Sequence, residues 1–186
     1  SQANRSLGTT CIWHRFLPIT VSFFMLRLLS DRLPLLEQLR RFGVQGLSRC
    51  ACCANPQEER LNHVFCTGEA ARQVWKEFEV PDGRNSRICS ARHMAIAWWI
   101  RPAPNRYLAF VYRLLPSLIC WELWRARTSA LMQGGKSEGG VVVDRILSRV
   151  RDLLHLQFSS LSWPHGSWGI CTRIWQVGLN GCTFGL

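Results

Sequence analysis

The chain has 186 residues, of which 47% are hydrophobic and 11% aromatic, and this composition excludes a disordered polypeptide. Its length allows one domain with a sizeable core, or one domain with a small satellite. The net charge of +11 is unevenly distributed, since residues 83–186 carry thirteen of the 23 basic and only four of the 12 acidic residues. Because nearly all of these basic residues are arginines, which bind phosphate bidentately, the second half is compatible with nucleic-acid binding or with a solvated helix face.

Cysteine usage predicts a reducing compartment. There are nine cysteines, an odd number, and no secretory leader precedes them, so we expect an intracellular protein of the nucleus or the cytoplasm. The sequence begins with Ser1 instead of a methionine, from which we expect a processed product or a fragment of a longer protein. The two longest apolar runs, residues 17–29 and 107–124, are interrupted by charged residues, so we predict core helices and no membrane span.

Apolar residues at helical spacing predict an all-α fold, described as an irregular helical domain. The first helix opens at Pro18, because proline is tolerated in a first helical turn. Its apolar face comprises Val21, Phe24, Met25, Leu28 and Leu29. A second helix is predicted between Asp31 and Gly43, where the glycine ends it. Its apolar face comprises Leu35, Leu36, Leu39 and Phe42.

Four more helices are predicted further along the chain. The first begins at Thr67 or Gly68. It buries Ala71, Val74, Trp75 and Phe78. The others cover residues 90–100, 106–131 and 141–157, and their tryptophans are expected to pack in the core. Beyond Gln157 the apolar periodicity fails, which predicts a loosely ordered C-terminal tail over residues 158–186.

A cluster of cysteines and a histidine between the second and third helices contains the candidate metal ligands. The segments are Cys50-Ala51-Cys52-Cys53 and His63-Val64-Phe65-Cys66, or C-x2-C-x9-H-x2-C. Two such pairs predict a tetrahedral zinc site that binds one ion through Cys50, Cys53, His63 and Cys66. On a helical turn, His63 and Cys66 would lie on one face. We expect Cys52 to point away, and Glu58 and Glu59 to keep the intervening loop polar.

Several segments in a fixed order carry a family resemblance. They are Trp13-His14-Arg15-Phe16-Leu17-Pro18, Asp31-Arg32-Leu33-Pro34, Cys50 to Cys53, Glu58-Glu59 with His63-Val64-Phe65, and Ala71 with Val74-Trp75. Over about residues 13–78 the chain resembles the zinc-binding domain of plant non-LTR (LINE-type) retrotransposon reverse transcriptases. The resemblance implies Cys50, Cys53 and His63 as zinc ligands in a polyprotein. The last cysteine of that family falls on Gly68 here, which leaves Cys66 as a local substitute.

Catalysis is not expected from this chain. Polymerase and RNase H chemistry both need several carboxylates around two divalent ions, and the aspartates here are scattered. They are Asp31, Asp82, Asp144 and Asp152. We therefore predict an accessory zinc-binding module over residues 13–80, a helical extension over 81–157 and the tail over 158–186.

The predicted partners are RNA or DNA, bound nonspecifically through the phosphate backbone, and other segments of the polyprotein. The best basic stripe comprises Arg145, Arg149 and Arg151. Two alternatives stay open. One is a helical protein-interaction segment with a purely structural zinc site, and the other is a decayed retroelement fragment without function.

Overall fold

The computed structural model describes residues 8–43, 49–53, 57–78, 90–134 and 139–158. Within these ranges the chain is mostly helical, and β pairing is limited to one isolated bridge between Arg49 and Glu58. The predicted all-α fold is confirmed. The predicted loose tail lies outside the described residues, except for its first residue, Phe158.

In the described part of the chain, six α-helices follow a short helical stretch over residues 8–12. They are α1 (Ile19–Leu29), α2 (Leu36–Arg40), α3 (Glu69–Phe78), α4 (Ala91–Trp99), α5 (Arg106–Gln133) and α6 (Gly139–Gln157), with a π-helix (His63–Thr67) directly before α3. The ends of α5 follow from its flanking residues. The Asn105 side chain accepts hydrogen bonds from the first-turn N–H groups of Tyr107 and Leu108, and Gly134 ends the helix in a left-handed conformation.

The second helix is shorter than predicted. Helix α2 has five residues and none of them is buried, whereas Leu35, just before it, is buried. Phe42, predicted on its apolar face, is 82% exposed. The chain reaches a left-handed glycine at Gly43 (φ 81°) immediately afterwards, so Phe42 lies beyond the last helical turn. The helix ends at Arg40, three residues before the predicted stop at Gly43, so the helical periodicity does not extend to residue 42.

Helix α5 lies at the centre of the fold and contacts α1, α3, α4, α6 and the π-helix. One cluster of buried side chains includes residues from Cys11 to Leu154. The predicted segments 13–80 and 81–157 therefore share a hydrophobic core, and the boundary between them stays a prediction. None of the described helices is long and apolar enough to cross a membrane.

Aromatic side chains fix the π-helix against α1, α3 and α5. The Phe24 ring of α1 lies with its centroid 6.0 Å from that of Phe65 and 5.3 Å from that of Trp121. Phe65 stacks on Trp124 at 6.4 Å, and its carbonyl accepts a 2.8 Å hydrogen bond from the Trp75 indole N–H. Aromatic pairs and a buried indole bond of this kind hold a segment in one position. The residues on either side of Phe65, including His63, are positioned by this packing.

Candidate metal centre

The cysteine pair lies on a loop that main-chain hydrogen bonding closes. Arg49 pairs with Glu58 in the isolated bridge, and the Cys50 N–H donates to the Gln57 carbonyl over 2.8 Å. Cys50 and Cys53 are both buried, and their Sγ atoms lie 3.8 Å apart. The loop therefore presents two thiols at one point.

His63 brings an imidazole to the same point. Its Nε2 atom lies 3.4 Å from the Cys53 Sγ, and the ligand atoms of Cys50, Cys53 and His63 all lie within 4.8 Å of one another. The three side chains are buried. The structure thus brings together three of the four ligands predicted from the sequence.

Cys66, predicted as the fourth ligand, is not in this group of donors. The segment that carries it is a π-helix, in which the Gly68 N–H donates over 2.7 Å to the His63 carbonyl, five residues earlier. Such a turn holds roughly 4.4 residues instead of 3.6, so a step of three residues falls well short of a full turn. The Cys66 side chain lies in the hydrophobic core, near Cys120 of α5. Its role as a ligand stays a prediction.

Hydrogen bonds around the sulfur atoms favour a thiolate at Cys50. The Cys52 side chain donates to Cys50, which lowers the pKa of the Cys50 thiol to about 5 and raises that of Cys52. Burial raises the pKa of Cys53, while the N–H groups of Glu69 and Ala70, at the start of α3, oppose this by donating to its sulfur. We expected the Cys52 side chain to point away from the metal centre, but it is hydrogen-bonded to Cys50.

The donor set fits a metal ion. Two sulfur atoms and an imidazole nitrogen are the ligands that zinc and similar borderline ions prefer, and the thiolate form that such ions require is already favoured at Cys50. The N–H groups of α3 that donate to Cys53 orient and stabilise the sulfur, as hydrogen bonds to metal ligands commonly do. The arrangement is suited to binding one ion.

Glu59 connects the loop of the centre to helix α5, and this was missed from the sequence. It was expected to keep the loop polar, but its side chain is 0% exposed. Its carboxylate accepts hydrogen bonds from Arg127 Nη2 at 2.5 Å and Arg127 Nε at 3.1 Å, and a third from the Leu36 N–H at 3.0 Å. A buried carboxylate is stable only with such partners. No sequence signal identified this pair, because 68 residues separate its members.

A polar cleft lies next to the centre, and His63 forms part of its wall. Its volume is about 810 Å³. The cleft is lined by charged and neutral polar side chains from α2, the loop and the π-helix, among them Asp31, Glu37, Arg41, Arg60 and Thr67.

The three arginines predicted to bind nucleic acid lie on α6, away from the metal centre in sequence. Arg145 and Arg149 are exposed and stand four residues apart, so they lie on one face. Arg151 lies on another part of the helix circumference, since each residue turns the helix by about 100°. Its guanidinium lies 3.6 Å from the Asp152 carboxylate and donates to Ser148 Oγ. The stripe therefore contains two arginines instead of three.

Comparison with known protein families gives a match in the first part of the chain. Residues 1–75 match a family described as zinc-binding in reverse transcriptase. No curated protein and no solved structure matches the chain. The matched region contains the three clustered donors and ends at Trp75, whose indole is bonded to the π-helix. The first 75 residues are thus similar to a zinc-binding family of reverse transcriptases, and their Cys50, Cys53 and His63 form a group that could hold a metal ion.

Proposed function

We propose that this chain is the accessory zinc-binding module of a retrotransposon reverse transcriptase, of the LINE type known from plants. The observation that carries the proposal is the buried cluster of Cys50, Cys53 and His63 inside the region that matches the reverse transcriptase family. Zinc fixes the loop against α3 and the π-helix. The module acts in the nucleus or the cytoplasm as part of a polyprotein and catalyses no reaction itself.

The module's partner is proposed to be RNA or DNA, bound through the phosphate backbone without sequence preference. Support comes from the charge of +11 and from Arg145 and Arg149, exposed on one face of α6. Arg151 contributes less, because its guanidinium is already paired with Asp152. Helix α6 packs on α3, which begins at the metal centre, so the basic face and the centre belong to one packed unit.

Metal content and salt-dependent binding test the proposal. The purified protein should contain close to one zinc per chain, and the Cys53→Ser variant should lose it. Binding to single-stranded RNA should weaken as salt rises, with a slope of log K against log [salt] of about −0.7 per phosphate contact. Arg145→Gln with Arg149→Gln should reduce that slope by about 1.4.

Arg60→Gln is the matched control for these substitutions. Arg60 is likewise an exposed arginine, but it pairs with the exposed Glu58 carboxylate at 2.6 Å, so its loss should leave the salt slope unchanged. No binding to RNA or DNA at low salt would eliminate the nucleic-acid function while leaving the zinc site intact.

A protein-interaction segment with a structural metal is the second candidate. One observation favours it: within the described chain, α1 exposes apolar side chains at helical spacing, and Trp13 lies beside them with its ring centroid 5.3 Å from that of Phe23. These exposed residues are Ile19, Phe23 and Leu26. The partner would be another segment of the polyprotein. Phe23→Ser should then abolish association with that segment without changing zinc content or RNA binding.

A further inference from the structure

Position 68 lies directly against the metal centre. Gly68 is buried, and a Cβ atom built there would lie 3.1 Å from His63 Nε2 and 3.3 Å from His63 Cδ2. Nε2 is the same atom that faces the Cys53 sulfur at 3.4 Å. A side chain at position 68 would therefore start beside the donor nitrogen of His63, and glycine supplies no donor atom there.

No other described side chain joins the three donors. Among the described residues, the group whose ligand atoms lie within 4.8 Å of one another comprises Cys50, Cys53 and His63 alone. Cys66 is three residues from His63 on a π-helix and lies in the core. Cys52 donates a hydrogen bond to Cys50 and is not part of the three-donor group. Four-ligand structural zinc sites are closed, whereas sites with three protein ligands leave the fourth position to water or another small molecule.

We propose that a metal ion bound here is held by Cys50, Cys53 and His63 and keeps its fourth coordination position, beside Gly68, for a water molecule that a small imidazole or thiol can replace. The proposal rests on metal binding at this centre, as the proposed function does, and adds that the site is open. His63 also forms part of the wall of the polar cleft of about 810 Å³.

X-ray absorption of the zinc-loaded full-length chain counts the ligands without any substitution. We expect two sulfur scatterers near 2.3 Å and two nitrogen or oxygen scatterers near 2.0 Å, the ordinary zinc distances. Imidazole added to the cobalt-substituted protein should shift its visible absorption bands, because it enters the fourth position. Three sulfur scatterers, or cobalt bands that imidazole leaves unchanged, would overturn the open site while leaving zinc binding established. A chain that binds no metal would overturn both this proposal and the zinc-binding function.

Gly68→Cys adds the absent donor, and Gly68→Ala is its matched control. A Cβ at position 68 would lie 2.5 Å from the His63 carbonyl oxygen, so both variants must shift the turn by a similar amount. The cysteine variant alone gains a ligand. We expect it to bind zinc about tenfold more tightly than the alanine variant, a difference of about 1.4 kcal/mol, and to lose the response to imidazole. Equal zinc affinity of the two variants, with the imidazole response kept in both, would show that position 68 does not face the fourth coordination position.

Discussion

Arg127→Met should destabilise the protein by about 3–5 kcal/mol, because it removes the counter-charge of a buried carboxylate. The Glu59 side chain is 0% exposed and, of its partners among the described residues, would keep the Leu36 N–H. The structure gives the number of bonds that are lost. Two guanidinium donors, at 2.5 and 3.1 Å, would be lost, and hydrogen bonds to charged groups contribute about 1.5–3 kcal/mol each.

Arg60→Met is the matched control on the same loop. Arg60 pairs with Glu58 at 2.6 Å, but the two side chains are 64% and 41% exposed, so the pair contributes less than about 1 kcal/mol. The double variant Glu59→Met with Arg127→Met should recover most of the loss, since apolar side chains of similar volume often replace a buried ion pair without penalty.

Urea unfolding at a fixed zinc concentration, followed by circular dichroism, measures these differences. The slope m should stay the same in all variants, so that shifts of the midpoint report stability. A loss in Arg127→Met no greater than in Arg60→Met would refute the conclusion that the Glu59–Arg127 pair stabilises the contact between the metal loop and α5.

Three further predictions concern the metal, the indole bond of Trp75 and the titration of His14. A chelator should lower the melting temperature of the wild type but leave that of Cys53→Ser unchanged. Zinc at a thousand times its Kd stabilises the folded state by about 4 kcal/mol, and the chelator removes this contribution. An equal response of the two proteins would contradict metal-linked folding. Trp75→Phe leaves the buried Phe65 carbonyl without its 2.8 Å indole partner and should cost about 1–3 kcal/mol in urea unfolding, whereas the exposed Trp13→Phe should stay within about 0.5 kcal/mol. Burial, together with Arg113 and Arg15, lowers the pKa of His14 in the folded protein. The unfolded chain therefore binds the proton more readily, so stability should fall as the pH drops below about 6.5 and the decline should be shallower in His14→Gln. Identical pH profiles of the two proteins would refute this assignment.

The helices were predictable where local pattern and tertiary packing agree. All four residues predicted to face inward from α3 are buried, because its apolar stripe is regular and polar residues fill the other face. Leu36 and Leu39 in α2, and Phe42 just beyond it, follow a similar spacing, yet none of them is buried. The spacing of apolar residues predicts which of them share a helix face. Whether that face is buried depends on whether the tertiary fold places another element against it. The Glu59–Arg127 pair was unpredictable for the same reason, since its partner lies 68 residues along the chain.

The prediction of Cys66 as the fourth ligand depended on the type of helical turn between it and His63. On an α-helix, a step of three residues returns almost to the same face, and this made Cys66 the natural partner of His63. On the π-helix that the chain forms here, the fifth residue returns to that face, and the Gly68 N–H accordingly bonds to the His63 carbonyl. The five-residue spacing from histidine to the last cysteine in the resembling family matches this wider turn. In the open site that we propose, glycine at position 68 removes a donor where the backbone still presents the position for one, and the metal ion is held by one protein ligand fewer.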